Sequence, residues 1–249
     1  MYAGKYFLIE RPKLGLGFSY EFERDDRRGP DINRSDTTMT YSERLGIETE
    51  GWVYHPALVT YRLRLSPEWE QLSEKSEKGI KRTRNTFLQG YFTEFIFLRY
   101  KPYTLRVFAN RERATLNSSF ARRSKTESDA YGATLMLKYR VMPTSLSYRH
   151  LESTQTGFFD TNKDTDEFHL SMRYNRNLGD TNLRASYIDT TQTTHGTPVN
   201  TKQQLASLQN TYNLTEDKRI LLSSGLYFND TETDFTESTA YNVSESLFW

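Results

Sequence analysis

The chain has 249 residues, 36% hydrophobic and 14% aromatic, with mean hydropathy −0.77. No run of about 18 apolar residues occurs, which excludes a membrane-spanning helix but not a membrane β-barrel, because half of each barrel strand faces a polar lumen. The 33 basic and 32 acidic residues leave a net charge of +1 and point away from bulk nucleic-acid binding, and the 0 cysteines exclude disulfides and thiolate metal sites, as suits a periplasm-exposed chain.

Residues 1–12 open the chain without a basic segment followed by an apolar run, so no secretory signal is legible there. Tyr2, Tyr6 and Leu8 alternate with Ala3, Lys5 and Phe7, and a proline turn is expected at Pro12. Two readings stand for this segment: the end of a thirteenth strand belonging to a larger barrel, or a periplasmic extension.

From Lys13 onward the alternation is period two. Leu14, Leu16, Phe18, Tyr20 and Phe22 share one face of the first full strand. Val59, Tyr61, Leu63 and Leu65 oppose Thr60, Arg62, Arg64 and Ser66 in the same way. The stretch FLQGYFTEFIFLRY fits less well: Glu94 falls in phase with Leu88, Phe92, Ile96 and Leu98, while Phe95 and Phe97 fall with the polar set. A β-bulge near Thr93 would restore the phase. In FLRYKPYTLRV, Leu98, Tyr100, Tyr103 and Leu105 are expected outward, Pro102 makes the turn, and Arg99 and Arg106 point inward.

The pattern continues with Tyr131, Ala133, Leu135, Leu137, Tyr139 and Val141 against Thr134, Lys138 and Arg140. Phe168, Leu170, Met172 and Tyr174 oppose His169, Ser171 and Arg173. Leu183, Ala185 and Tyr187, then Ile220, Leu222, Leu226 and Phe228, and last Tyr241, Val243, Leu247 and Trp249 complete it. About twelve strands are predicted, each near the ~9–11 residues that cross a bilayer on a tilt. Short connections are expected around Pro12, Pro56, Pro102 and Pro143 and near 175–180 and 213–218. Long polar ones are expected at roughly 24–37, 71–84, 112–128, 152–165, 189–201 and 229–238.

Aromatics gather toward strand ends. Trp52, Tyr54, Tyr61, Tyr100, Tyr103, Tyr139, Tyr148, Tyr174 and Tyr212 fall by the short turns; Tyr20, Phe22, Tyr41, Trp69, Phe87, Tyr131, Phe168, Phe228 and Tyr241 fall at the other end. Two such belts match the two surfaces of a bilayer. The fold class expected over 13–249 is all-β: an antiparallel up-and-down transmembrane β-barrel, complete in itself or part of a larger one, with short turns toward the periplasm.

With this architecture, and with the ending YNVSESLFW, the chain resembles Gram-negative outer-membrane β-barrels of the porin-like kind. The terminal Trp249 and the apolar residues at alternate positions before it are similar to the last-strand assembly signal of that family, although Glu245 falls in the apolar phase. The resemblance implies an outer-membrane location, contact with membrane lipid and lipopolysaccharide, and recognition of the C-terminal strand by the barrel-assembly machinery. It implies no cofactor.

Cationic residues fall mostly on the polar face: Arg62, Arg64, Arg99, Arg106, Lys138, Arg140, Arg149, Arg173 and Arg184. Each would cost about 2–4 kcal/mol if turned to lipid at mid-membrane, so all nine are expected to line the lumen. Glu21, Glu23, Glu48, Glu50, Glu68 and Glu167 share those faces in smaller number. The functional expectation is passive diffusion of small polar or anionic solutes, since fixed charge around a pore selects what enters. The competing reading is that the arginines pair with glutamates and brace the wall. A larger barrel would instead suit a sheath or conduit for an electron-carrier protein or an exported polysaccharide.

Two local motifs bear on chemistry. His169 and Ser171 resemble the His-x-Ser pair of outer-membrane phospholipases, but Met172 and Arg173 follow where that family has asparagine and glycine, and parity turns the pair inward. They are read as lining, with catalysis only the remote alternative. Asp160, Asn162 and Asp164 begin like a calcium loop, yet Thr165 stands where glycine is required and Ser171 where glutamate is required. A solvated external loop is expected instead. His55, His150 and His195 are far apart in sequence, and no metal cluster is expected.

Overall fold

The computed structural model describes every residue except 1, 5, 29–32, 76–80, 119–120, 158–159 and 216–218. Two short strands, β1 (Tyr2–Gly4) and β2 (Phe7–Ile9), precede twelve long ones. These are β3 (Lys13–Arg28), β4 (Asn33–Val53), β5 (Val59–Lys75), β6 (Lys81–Phe97), β7 (Tyr103–Ser118) and β8 (Ala121–Leu137). They continue as β9 (Thr144–Thr156), β10 (Thr161–Asn175), β11 (Gly179–Thr194), β12 (Thr197–Asn213), β13 (Leu221–Thr233) and β14 (Glu237–Phe248). From β3 to β14 each strand pairs antiparallel with the next, so the all-β, up-and-down order expected from the alternation is present. Among the described residues β3 and β14 do not pair with each other, and the sheet is open there.

The N-terminus departs from expectation. Ile9 pairs with Gly51 and Lys13 with Glu48, so β2 and β3 lie end to end along the same edge of β4. Glu10, Arg11 and Pro12 oppose only Thr49 and Glu50, which makes a bulge and not a hairpin turn. Proline fits because it has no N–H to give to a ladder. The chain turns before β2 instead, where β1 folds back on it.

The expected long polar loops are largely strand. Residues 24–28, 71–75, 112–118, 121–128 and 161–165 all belong to ladders, and only short connections join the strands at this end. Their tips at 29–32, 76–80, 119–120 and 158–159 lie outside the described residues. At 194–197 the connection is a two-residue turn in which His195 and Gly196 both have positive φ, 52° and 82°. That is the twist a tight hairpin requires, and glycine takes it without strain.

At the opposite end the proline turns hold. Pro56 follows His55, whose carbonyl oxygen accepts from Leu58 N at 2.8 Å, the position at which proline's preset φ favours a turn. Pro102 and Pro143 stand immediately before β7 and β9. A further proline, Pro67, sits inside β5, and there the β4–β5 ladder skips from Arg44–Glu68 to Ile47–Leu65.

No bulge occurs near Thr93. β6 pairs with β5 in unbroken register from Lys81 to Phe97, with Phe95 opposite Tyr61 and Glu94 opposite Arg62. The phase is therefore the reverse of the one expected: Phe87, Tyr91, Phe95 and Phe97 lie on the apolar face, and Leu88, Phe92, Glu94 and Ile96 on the polar one. Leu98 and Tyr100 lie in the turn, where Leu98 has a φ of 56°.

Close strand packing depends on glycine at one inward position. A Cβ on Gly132 would meet the carbonyl oxygen of Tyr148 at 2.4 Å and the ring of Phe108 at 3.0 Å. Because one of those atoms is backbone, relief requires the β8–β9 ladder to shift. Gly132→Ala is expected to cost about 1–2 kcal/mol, read by chemical unfolding against a Gly15→Ala control, since a Cβ on Gly15 meets nothing within 4 Å.

Candidate functional site

The register divides the sheet into two faces of opposite chemistry. One carries Leu14, Leu16 and Phe18 on β3, Leu45 and Ile47 on β4, and Leu63 and Leu65 on β5. It continues through Phe95, Val107, Leu135, Leu146, Leu170, Leu183, Leu208, Leu226 and Val243 on successive strands. These side chains range from half-buried to exposed: Leu146 and Leu226 are each 50% exposed and Val243 76%. Only Ala130 is a buried hydrophobic among the described residues.

The buried residues all belong to the other face. Thr40, Ser42, Glu70, Glu94, Thr104, Ala130 and Thr165 are buried, and each has inward parity on its strand. Side chains crowd one another on the concave side of a curved sheet and spread on the convex side. The polar face is thus the concave one.

A row of rings edges the apolar face. Tyr148 pairs directly with Phe168, Phe168 with Tyr187, and Phe228 with Tyr241, with ring centroids 4.8, 6.4 and 5.3 Å apart. Trp69 and Phe87 form a further pair at 5.1 Å. Tyr148, expected at the short-turn end, belongs to this row because the β9–β10 register sets it directly opposite Phe168. Beyond the row the same face turns charged, at Asp129, Asp166 and Asp189.

On the concave face the cations are mostly paired. Arg64 meets Glu48 at 3.0 Å, Arg62 meets Glu50 at 3.6 Å, and Arg173 meets Asp180 at 2.9 Å. Arg149 lies 3.9 Å from Glu167, and Arg106 is bonded to Glu94. Arg44, not anticipated as a lining residue, meets Glu68 at 2.7 Å. Arg184 has no carboxylate partner among the described residues; it shares a shallow groove with His169, Ser171, Ser186, Leu205 and Ser207. Arg99, Lys138 and Arg140 are not on strand faces at all. They sit in the turns at 98–102 and 138–143, where the Lys138 ammonium reaches the Arg99 carbonyl oxygen at 3.4 Å.

Glu94 and Asp180 are acids beside the predicted arginines that sequence reading did not place there. The signal for Glu94 was present: taking the phase from Phe95 and Phe97 places it beside Arg62 and Arg106. His169 and Ser171 do face inward, with Glu167 at 3.8 Å from His169 Nε2. A cluster that sequence spacing concealed lies on the opposite face. His150 Nδ1 is 3.1 Å from an Asp166 oxygen and 3.6 Å from an Asp164 oxygen, and Tyr148 donates to Asp166 at 2.7 Å. Asp164 belongs to a strand and not to an external loop, and hairpin pairing of β9 with β10 brings it to His150. An imidazole with two carboxylates has the donors for a divalent transition metal more than for calcium.

No protein-family model matches the chain, and neither does any curated protein.

Proposed function

We propose that the protein is a bacterial outer-membrane β-barrel that lets small polar solutes, including anions, diffuse through its interior. The observation that carries this reading is the missing core. A sheet with its apolar side chains on the convex face and, among its described residues, only Ala130 as a buried hydrophobic has no means of removing that surface from water. Lipid removes it, and an aromatic row bordering the apolar band is what a bilayer surface favours.

The stagger of the strands supports closure. A row drawn across the ladders from Lys13 passes through Glu48, Arg64, Phe92, Asn110 and Ala130. It continues through Leu151, Thr165, Thr190 and Thr201 to Thr233, the last residue of the 13-residue β13. With ~3.3 Å per residue and ~4.8 Å between strands, that climb corresponds to a tilt of about 40°, within the range that closes a barrel. β3 and β14 also run antiparallel, as the two edges of an even-numbered barrel must to pair. In a bilayer those edges cannot stay unpaired, because each backbone group left without a partner costs several kcal/mol.

The paired cations temper the selectivity. With Arg62, Arg64, Arg106, Arg149 and Arg173 each beside a carboxylate, much of the predicted lining charge is neutralised, and Arg184 is the predicted strand cation left without a carboxylate among the described residues. Weak anion preference is the expected result, measured by reversal potential in planar bilayers under a salt gradient, with Arg184→Gln abolishing it. Absence of conductance, or cation preference, overturns the pore. Barrel formation is checked separately: unboiled protein should migrate differently from boiled protein on a detergent gel.

A further inference from the structure

The outer half of the β7–β8 hairpin does not follow the wall. β6 and β7 pair only from Phe97–Leu105 up to Tyr91–Arg111 and then part. Above that point Lys81–Gly90 remains paired with β5, while Glu112–Ser118 pairs only with β8. The register of neither hairpin slips between the apolar band and Glu70, Arg113 or Lys125, so the face of each is known.

Lys125 of β8 has the parity of Leu135 and Tyr131, the convex face. Glu70 of β5 has the parity of Arg62, Arg64 and Glu68, the concave face. In a continuous sheet those side chains point to opposite sides of the wall and cannot touch. Yet the Lys125 ammonium binds the Glu70 carboxylate at 2.5 Å, and the Glu70 side chain is only 4% exposed. Both facts hold if the outer β7–β8 hairpin lies across the inside of β5, its nominally outward face against the concave one.

Burial agrees. Arg113 has outward parity on β7, yet its Nε and Nη1 are buried without a hydrogen-bond partner, while Glu112, with inward parity, is exposed. Thr40 and Ser42, on the concave face of β4 beside Glu70, are buried as well, as a hairpin laid across this part of the wall requires. The physical reason lies in the sequence of that face. From Arg111 outward it carries Arg111 with Asp129 and Arg113 with Glu127, then Lys125. Charged residues do not extend an apolar wall, and the β6–β7 ladder ends where they begin.

We propose that the outer part of the β7–β8 hairpin is an inner strap, pinned by Lys125 to Glu70, that narrows the interior. The narrowing of a solute path rests on the pore reading; the placement of the strap does not. The chain has 0 cysteines, so introduced pairs report without background. In the full chain, purified and folded, Glu70→Cys with Lys125→Cys should be joined within one molecule by a short bismaleimide, detected by mass spectrometry of the linked peptides. Trp69→Cys with Lys125→Cys, placing the first thiol on the convex face, should not. Failure of the first pair, or equal linking of the second, overturns the strap.

Because the cysteines themselves remove the ion pair, a charge series gives a second reading. Lys125→Glu should repel Glu70 and raise single-channel conductance several-fold, and Glu70→Lys with Lys125→Glu should restore the parent value. Unchanged conductance in Lys125→Glu overturns the narrowing role. If the parent conducts nothing but the first cysteine pair links, the pore reading fails and the strap stands.

Discussion

In lipid vesicles, Leu135→Arg is expected to destabilise the protein by about 2–4 kcal/mol if its convex face meets lipid as proposed, and Thr134→Arg by close to nothing. The two positions are neighbours on β8, and only the face differs. Leu135 pairs with Leu105 and Leu146 on the convex side, whereas Thr134 pairs with Arg106 and Ser147 on the concave side. An arginine on the first side must shed its hydration or distort the bilayer, while one on the second can stay wet. The measurement is reversible denaturant unfolding in lipid vesicles. The comparison is decisive because a water-exposed Leu135, already 37% exposed, would tolerate arginine within about 0.5 kcal/mol. Equal stability of the two variants would remove the membrane reading altogether.

Glu94→Leu is the second large effect, expected at about 2–3 kcal/mol. Glu94 is 8% exposed, is bonded to Arg106 and stands opposite Arg62. Removing one partner of a buried ion pair ordinarily costs about 3–5 kcal/mol, because the other charge is left uncompensated. Arg106 is roughly half exposed, so solvent recovers part of that loss and the smaller figure applies. Glu94→Leu with Arg106→Leu should recover much of the stability, since no charge is then stranded. A single variant as stable as the parent would show that Glu94 does not sit against Arg106.

These positions also show how far the sequence was legible. Alternation along β3, β5, β8 and β10 has a period of two, and one misplaced residue would put a charge among leucines, so the faces of those strands could be read directly. β6 was misread because aromatic and aliphatic residues occupy both of its faces. Leu88, Phe92 and Ile96 look like one apolar row, Phe95 and Phe97 like another, and only pairing to Tyr61 and Arg62 decides between them. Pro12 was misread for a related reason. Proline marks a place where a ladder donor is missing, and a bulge satisfies that as well as a turn does. Arg99, Lys138 and Arg140 were placed on strand faces, but β6 ends at Phe97 and β8 at Leu137, before any of them is reached.

By itself the sequence determined that this chain forms an antiparallel meander with one apolar and one charged face, because period-two patterning and proline-marked turns are local. What only the tertiary structure decided are the relations between strands. These include which carboxylate neutralises which arginine, that His150 meets Asp164 and Asp166, and that Lys125 reaches Glu70 from the wrong side of its own strand. Each depends on register and curvature summed over several ladders, and no short window of residues carries that information.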